Sequence, residues 1–373
     1  MSEERFAASV YLHRLGRVRE LAAGAGFDAL VVTPGPDLQY LIGSRAQTFE
    51  RLTALVVPAD RDPFVVAPTM ELAALRSSAV REAALEVRQW VDGDDPYALA
   101  LRGSARGGAL RLGFSEATPA LHIVPLSTLA GTRPQLATGV LRTLRMRKDS
   151  AEMQALQEAA DAIDRVHARV AEWLRPGRTE REVAADIAAA IVAEGHAEAD
   201  FVIVGSGPNG ADPHHEVSDR VIGVDETVVV DIGGPIALGY NSDSTRTYAT
   251  GDVPDRIRSA YDVLEQAQRA AVEAVRPGVT AESVDAAARD VLAAAGLGER
   301  FVHRTGHGIG LSVHEEPYIV AGNDLVLEPG MAFSVEPGVY FPGEWGARIE
   351  DIVVVTDDGV RALNRRPHGL ARV

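Results

Sequence analysis

The sequence predicts a two-domain protein of mixed α/β class, whose second domain is built from two copies of one helix-plus-hairpin unit. Its 373 residues exceed the size at which a single hydrophobic core usually stops growing. The first part alternates short β-rich runs with helical stretches, and the second part repeats its own pattern. Gly, Thr and Pro cluster at residues 131–139, which predicts domains at residues 1–138 and 139–373.

The first domain is expected to be a small α/β unit. Residues 70–77 have a helical pattern, and the β-rich runs between turn residues predict strands. The predicted strands are residues 29–33, 53–57, 64–67 and 110–114.

A long helix is expected to open the second domain. Ser150 is its predicted N-cap, and the helix runs to Leu174 before Pro176-Gly177 stops it. One apolar stripe recurs at helical spacing along it, which predicts core packing. The stripe consists of Met153, Leu156, Ala160, Ile163, Val166, Val170 and Trp173.

The internal repeat is the most informative feature of the second domain. Residues 175–195 align on residues 276–296, each with a helix stop at Pro-Gly, a Thr cap and an Ala-rich helix that ends at Gly. Two further alignments pair residues 219–233 with 324–338 and residues 239–243 with 346–350.

These alignments place Asp231 on Glu336 and Asp243 on Glu350. An acid that ends an apolar strand, as Asp231 and Glu336 do, is unfavourable unless something compensates for it. A turn at residues 233–238 would make Asp231 and Asp243 cross-strand neighbours, and Glu336 and Glu350 would face each other in the same way. Four close carboxylates repel unless they are protonated or bind cations, so the repeat favours a cation site over four unrelated surface acids.

Imidazole comes from a glycine-rich stretch that contains His303, His307 and His314. The sequence has no cysteine, so a metal must be bound by oxygen and imidazole. Four acids and one imidazole suit a pair of Mn²⁺, Co²⁺ or Zn²⁺ ions bridged by water.

The net charge of −16 argues against nucleic acid and anionic membranes as partners, because both require clustered Lys and Arg. The N-terminus has no apolar core segment, and no later run approaches the length that crosses a bilayer. We therefore expect a cytoplasmic location.

Six short strings of the second domain carry a resemblance to a known family. They are VDIG at 230–233, SDSTRT at 242–247, HRTGHGIGL at 303–311, VHE at 313–315, EPG at 336–338 and RIED at 348–351. Jointly they resemble the signature of the pita-bread (creatinase/methionine aminopeptidase-like) metallopeptidases, closest to Xaa-Pro dipeptidase (prolidase) and aminopeptidase P. The first domain is similar to the creatinase-type N-terminal domain of both.

The resemblance implies a pita-bread catalytic domain that holds two divalent ions per subunit, with Mn²⁺ as the first choice. It also implies a homodimer that cleaves the peptide bond before proline. By matching position, its five metal ligands fall on Asp231, Asp243, His307, Glu336 and Glu350. Glu336 is also expected to carry a proton to the leaving proline nitrogen.

The family's active-site histidines fall on His214, His303 and His314. His303 and His314 are expected to steady the substrate and the tetrahedral oxyanion. His214 is preferred to His215 because it directly follows Pro213, as in the family pattern.

Two arginines are further candidates. Arg348 lies two residues from Glu350, hence on the same face of its strand, and could pair with the acid cluster or with a substrate carboxylate; an ordinary structural ion pair is equally open. Arg45 could bind a substrate carboxylate across a domain or dimer interface, and a solvated surface arginine is the simpler alternative.

We expect Xaa-Pro dipeptides as the preferred substrates, because the chain is short with a single N-terminal domain. The alternative is an aminopeptidase P, which releases the first residue from longer Xaa-Pro peptides. A non-catalytic pita-bread binding module and a metal-free creatinase-like amidinohydrolase are the alternatives of other classes. Both usually lack several metal acids, whereas all five ligand positions are filled here. Methionine aminopeptidase typically lacks the N-terminal domain.

Overall fold

The computed structural model describes residues 5–47, 50–103 and 109–373. The chain divides into two compact units between Arg145 and Met146. Within the described ranges, no helix combines the length and the apolar composition that crossing a membrane would require.

The N-terminal unit is built on one six-stranded sheet with the strand order β4-β3-β2-β1-β5-β6. The strands are β1 (Ala29–Val32), β2 (Ala54–Pro58), β3 (Phe64–Pro68), β4 (Glu86–Trp90), β5 (Leu112–Phe114) and β6 (Gln135–Leu136). The helices are α1 (Ala8–Gly24), α2 (Pro36–Ile42), α3 (Pro96–Leu101), α4 (Ala120–Ala130) and α5 (Thr138–Arg145). Strands β1, β2 and β3 are buried along their whole length, because their continuous apolar runs pack on both faces.

The four strands predicted in this unit are present as β1, β2, β3 and β5. The helix predicted at 70–77 is instead a 3₁₀ helix, Thr69–Leu75, in which only Leu75 is buried. One buried side chain gives little packing to hold a full α-helix, because helical stability in proteins comes mostly from packing. Helix α5 buries Val140 and Leu141, so the compact unit extends past the boundary predicted at 138/139.

The C-terminal unit contains four α-helices among its described residues: α6 (Ser150–Arg169), α7 (Glu180–Ala193), α8 (Asp255–Ala274) and α9 (Ala281–Ala294). The N-cap of α6 is Asp149, one residue before the predicted cap Ser150. The Asp149 side chain accepts hydrogen bonds from Ala151 N and Glu152 N, and the Glu152 side chain accepts one from Asp149 N. This reciprocal capping box satisfies more of the free N–H groups than Ser150 could alone.

The predicted repeat is visible in α7 and α9, each of 14 residues and each preceded by a threonine. Thr179 caps α7 through a hydrogen bond from Glu182 N to its hydroxyl. Thr280 is the N-cap residue of α9, as predicted, but its side chain makes no cap hydrogen bond.

The strands of this unit form three sheets with the orders β17-β9-β8-β7, β11-β10-β12-β15-β16 and β13-β14. In the first half they are β7 (Phe201–Ser206), β8 (Thr227–Pro235) and β9 (Asn241–Ala249). In the second half they are β10 (Gly306–Gly308), β11 (Glu315–Ile319), β12 (Ala332–Val335), β13 (Gly338–Phe341), β14 (Trp345–Arg348), β15 (Asp351–Val355), β16 (Val360–Ala362) and β17 (Ala371–Arg372).

Candidate metal centre

The first pair of acids lies on the hairpin formed by β8 and β9. Asp231 pairs with Thr245, and Asp243 pairs with Gly233. The two acids are therefore cross-strand neighbours, as predicted, in the diagonal arrangement on one face, two residues out of direct register. Strand β8 continues through Pro235 and β9 starts at Asn241, so the turn spans residues 236–240 and begins three residues later than predicted.

The second pair of acids lies where the second hairpin is interrupted. Val335 pairs with Asp351 and Gly338 pairs with Arg348, so the same register places Glu336 opposite Glu350, as predicted. Pro337 cannot donate a ladder hydrogen bond, which accounts for the break between β12 and β13.

The backbone at this interruption bonds to other strands. Glu336 N donates to Thr305 O at 2.8 Å, and Glu350 N donates to Thr245 O at 3.1 Å. The second bond joins the two halves of the repeat beside the acids. The break thus turns two backbone donors toward neighbouring chain segments and fixes the position of both glutamates.

His307 on β10 completes the cluster. Its Nε2 lies 3.5 Å from Asp243 Oδ2 and 3.2 Å from Glu336 Oε1. One donor atom each from Asp243, His307 and Glu350 lie within 4.8 Å of one another, and all three residues are buried. The structure thus brings together the residues that the sequence predicts as metal ligands.

The donor set fits divalent cations on its own chemistry. Asp231 Oδ1 and Glu350 Oε1 are buried and have no hydrogen-bond partner among the described residues. An unsatisfied buried carboxylate oxygen is costly, and a cation is the partner that satisfies it without requiring a proton. Carboxylate oxygens with one imidazole are the ligands of hard and borderline divalent ions.

The pKa values of the buried acids also indicate that the cluster lacks compensating positive charge. Burial raises the pKa of Asp243 well above its usual range, and the charge of Asp231 raises it further. Burial and the charge of Asp243 likewise raise the pKa of Glu350. In the absence of cations, burial and the closeness of the charges favour the protonated form of these carboxyls.

Glu336 differs from its neighbours because His307 pairs with it. Burial alone would raise the pKa of Glu336, but the hydrogen bond and charge of His307 lower it to about 2. Burial alone would lower the pKa of His307, and the hydrogen bond and charge of Glu336 raise it instead. Ser334 Oγ donates a further hydrogen bond to Glu336 at 3.0 Å, so this carboxylate stays ionised.

Arg348 pairs with the acid cluster, one of the two roles expected for it. Its Nη2 donates to Asp231 Oδ2, and its Nε donates to Thr245 Oγ1 at 3.1 Å. Its Nη1 donates to Tyr340 Oη at 2.8 Å and to the Pro213 carbonyl at 3.3 Å. The guanidinium is buried and lines the cavity beside the acids.

Tyr340 and Thr245 belong to the site although the sequence reasoning missed both. Tyr340 Oη lies between Arg348 and His303, 2.9 Å from His303 Nε2. Thr245 Oγ1 donates to Glu350 Oε2 at 2.8 Å. Thr245 stands two residues after Asp243 on one strand face, so period-two alternation was the available signal.

The predicted histidines fall around one cavity of about 650 Å³. His214, His303 and His314 all line it, together with the five predicted ligands. His215 does not line it, and its Nε2 lies 2.7 Å from Glu180 Oε2. The placement supports the choice of His214 over its neighbour.

The cavity combines charged and apolar walls. Phe201, Ile203 and Val313 supply apolar lining, while Asp200 and Arg304 add one charge of each sign. Partial desolvation and the nearby His307 lower the pKa of His314 to about 4, and burial lowers the pKa of His303. Both rings are therefore neutral at pH 7, which leaves each able to donate one hydrogen bond and accept another.

Arg45 lies in the N-terminal unit, just after α2, and its side chain is exposed. The role suggested for it in binding a substrate carboxylate stays a prediction.

Comparisons with known proteins identify the family of both parts of the chain. Residues 154–357 match Metallopeptidase family M24, and residues 14–147 match the Creatinase/Prolidase N-terminal domain. The chain is 63% identical over 371 residues to a "Probable dipeptidase PepE" of Mycobacterium tuberculosis (strain H37Rv), covering 99% of this chain and 98% of that protein. It is 35% identical to an "Xaa-Pro dipeptidase" of Lactobacillus helveticus, covering 94% and 96%.

A solved structure has the same fold along the whole chain. The crystal structure of dipeptidase PepE from Mycobacterium ulcerans is 61% identical, covers 99% of each chain and superposes with a TM-score of 0.96. The predicted family and the predicted fold class, a creatinase-type domain followed by a pita-bread domain, are confirmed. The chain belongs to Metallopeptidase family M24.

Proposed function

We propose that this metallopeptidase is an Xaa-Pro dipeptidase whose five ligands, Asp231, Asp243, His307, Glu336 and Glu350, hold two divalent ions. The observation that carries the proposal is the convergence of these donors, two of them with unsatisfied buried oxygens, in the floor of one cavity. The names of the relatives support the choice of substrate, since they include dipeptidases and Xaa-Pro dipeptidases. Mn²⁺ is the first choice of ion, and the donor set also suits Co²⁺ and Zn²⁺.

Divalent ions held by these ligands supply Lewis acidity and make hydroxide available as a nucleophile at neutral pH. The chain's own residues contribute the proton transfer. Glu336 is ionised and borders the cavity, so it can accept the proton of the attacking nucleophile and return it to the leaving nitrogen. A prolyl leaving group needs that proton, because its ring nitrogen departs as a basic secondary amine.

Other polar groups that line the cavity orient the substrate. The neutral ring of His314 can donate a hydrogen bond to the scissile carbonyl oxygen or to the oxyanion that replaces it. The single N–H of neutral His303 is donated to the Arg304 carbonyl, so this ring can steady the substrate only by contact. Tyr340 holds the His303 ring through its 2.9 Å contact, and Arg348 holds Tyr340 in turn. The apolar wall formed by Phe201, Ile203 and Val313 can exclude water from an apolar first residue.

The test is a two-substrate assay on purified protein loaded with Mn²⁺. The dipeptidase proposal predicts that an Xaa-Pro dipeptide is cleaved faster than the matching Xaa-Pro-Xaa tripeptide. Faster cleavage of the tripeptide would transfer the assignment to aminopeptidase P. An Xaa-Ala dipeptide with the same first residue is the matched control, and equal cleavage of it would remove proline from the specificity.

The choice of metal needs a separate measurement. Elemental analysis of protein purified without chelator should find two divalent ions per chain, and chelation should abolish activity until Mn²⁺ is restored. Full activity after complete chelation would overturn the metal assignment. The homodimer and the cytoplasmic location stay predictions from the sequence.

A further inference from the structure

Glu180 is a fully buried carboxylate that lies outside the cavity, at the first residue of α7. Its Oε1 accepts hydrogen bonds from Ser206 N at 2.8 Å and Ser206 Oγ at 2.7 Å. Its Oε2 accepts from Ser218 N at 3.1 Å and Ser218 Oγ at 2.6 Å. Asn209 Nδ2 donates to both oxygens, and His215 Nε2 lies 2.7 Å from Oε2. The hydrogen bonds to both carboxylate oxygens compensate for the water that this charge loses on burial.

All of these donors belong to residues 206–218, the segment that carries His214 into the cavity. Two donors precede His214 in the chain and two follow it, so one carboxylate holds the segment on both sides. The segment contains a short 3₁₀ helix, Gly207–Ala211, and no strand beyond Ser206. With few ladder bonds of its own, it depends on side-chain hydrogen bonds for a fixed course.

The bonds to Glu180 are of the strong kind. Burial alone would raise the pKa of Glu180, but the hydrogen bonds from Ser218 and Ser206 lower it to about 2. The carboxylate is thus ionised at neutral pH, and hydrogen bonds to an ionised acceptor are roughly twice as strong as neutral ones.

The second half of the repeat contains a comparable arrangement. Asp285 on α9 is buried and accepts from Thr305 N at 3.1 Å and from Thr305 Oγ1 at 2.7 Å. Arg289, paired with Asp285, donates to the carbonyl of His303. A buried acid on the corresponding helix therefore holds a histidine segment in each half.

We propose that Glu180 is a positioning residue for His214, acting through the hydrogen bonds that fix residues 206–218. The inference rests on the proposed function, because it assigns His214 a part in holding the substrate. If Glu180 acts only through His214, its removal costs activity while His214 is present and little once His214 is gone.

The test compares Glu180→Gln with Glu182→Gln. Glu182 lies on the same helical turn and is exposed, and its carboxylate accepts a hydrogen bond from Thr179 N, outside residues 206–218. We expect Glu180→Gln to lower kcat/KM for an Xaa-Pro dipeptide about tenfold, mainly through KM and with metal content unchanged. Glu182→Gln should stay within about twofold of the wild type.

A double-mutant cycle separates positioning from general damage. In the His214→Ala background, Glu180→Gln should cost less than about twofold. A tenfold loss that persists without His214, or a wild-type kcat/KM in Glu180→Gln, would overturn the proposal. Should Glu180→Gln fail to fold, Ser218→Ala removes a single donor; we expect about a threefold loss that likewise disappears without His214.

A second readout does not depend on activity. In histidine-labelled protein, the NMR signal of the His214 ring, identified by its absence in His214→Ala, should shift in Glu180→Gln and Ser218→Ala but not in Glu182→Gln. An unmoved His214 signal in both of the first two variants would refute positioning. If the wild type cleaves no Xaa-Pro dipeptide, the proposed function fails, and the ring signals still decide the role of Glu180.

Discussion

Two adjacent basic residues, Arg147 and Lys148, make ion pairs of equal length in very different surroundings. Lys148 Nζ lies 2.6 Å from Glu315 Oε1, and the two side chains are 1% and 10% exposed. Arg147 Nη2 lies 2.6 Å from Glu328 Oε2, and those side chains are 53% and 45% exposed. Replacing each base with Met keeps the aliphatic stem and removes the charge.

The buried pair should matter far more. Lys148→Met removes the cation that compensates a buried carboxylate, which typically costs about 3–5 kcal/mol of unfolding free energy. Arg147→Met removes an exposed pair whose contribution is below about 1 kcal/mol, because water and salt screen it. For a unit of this size the melting temperature should fall by about 6–20 °C in the first variant and by less than about 4 °C in the second.

Urea denaturation at equilibrium is the assay, with the intrinsic fluorescence of Trp173 and Trp345 reporting on the C-terminal unit. The comparison is valid where the dependence on urea is unchanged, since the midpoint shift then measures stability alone. Adding Glu315→Gln to Lys148→Met should recover part of the loss, because the uncompensated charge disappears with it. Equal losses for Lys148→Met and Arg147→Met would refute the reasoning that burial decides the strength of these pairs.

Three further predictions concern the site and its supports. Tyr340→Phe removes the hydroxyl that contacts the Arg348 and His303 side chains, so kcat/KM should fall about tenfold with metal content unchanged. Tyr261→Phe is the control, because the Tyr261 hydroxyl donates to a backbone carbonyl outside the cavity. The unfolding free energy of chelated protein should fall as pH rises from about 4, because the raised pKa values of Asp243 and Glu350 favour protons in the folded state. Mn²⁺ should remove this dependence on pH. A chelated protein that gains stability as pH rises would contradict the prediction. The pKa of Glu180 falls from 4.5 to about 2 on folding, so the stability it contributes is present above pH 4.5 and lost toward pH 2. The difference in unfolding free energy between wild type and Glu180→Gln should therefore shrink by about 3 kcal/mol over that range. A difference that stays constant with pH would contradict the lowered pKa of Glu180.

The cluster of four acids was predictable because the duplication makes each acid visible twice. Asp231 and Glu336 both end apolar strands, and chance does not place charges at equivalent positions of two aligned repeats. The geometry of the first hairpin was harder to predict from the sequence. Turn position depends on how far β8 continues, and the apolar and glycine residues at 232–235 are compatible with either strand or turn.

Contacts between distant segments were the part that sequence could not supply. Glu180 looks like an ordinary acid in the first turn of a helix, where acids are favoured for local reasons. Its partners lie 26 to 38 residues away, and they are brought together by the packing of α7 against β7 and by backbone hydrogen bonds from Glu180 N and Arg181 N to residues 220 and 218. Tyr340 is similar, since its position in a short strand predicts burial and gives no sign of the arginine and histidine that meet its hydroxyl.

The two halves of the repeat have diverged in a way that suits an asymmetric site. In the first half, β8 and β9 are continuous strands of nine residues, and the backbone groups beside Asp231 are used in the ladder. In the second half, Pro337 interrupts the ladder, and the amides of Glu336 and Glu350 bond outside their own hairpin. The second pair of acids is therefore anchored to the His307 segment through Thr305 and to the first half through Thr245. Because Glu336 is tied to the imidazole segment, it alone acquires a strongly lowered pKa, while Asp243 and Glu350 are left with raised ones. The break at Pro337 thus accompanies a difference among the acids: Glu336 is ionised beside His307, whereas burial and mutual repulsion raise the pKa of Asp243 and Glu350.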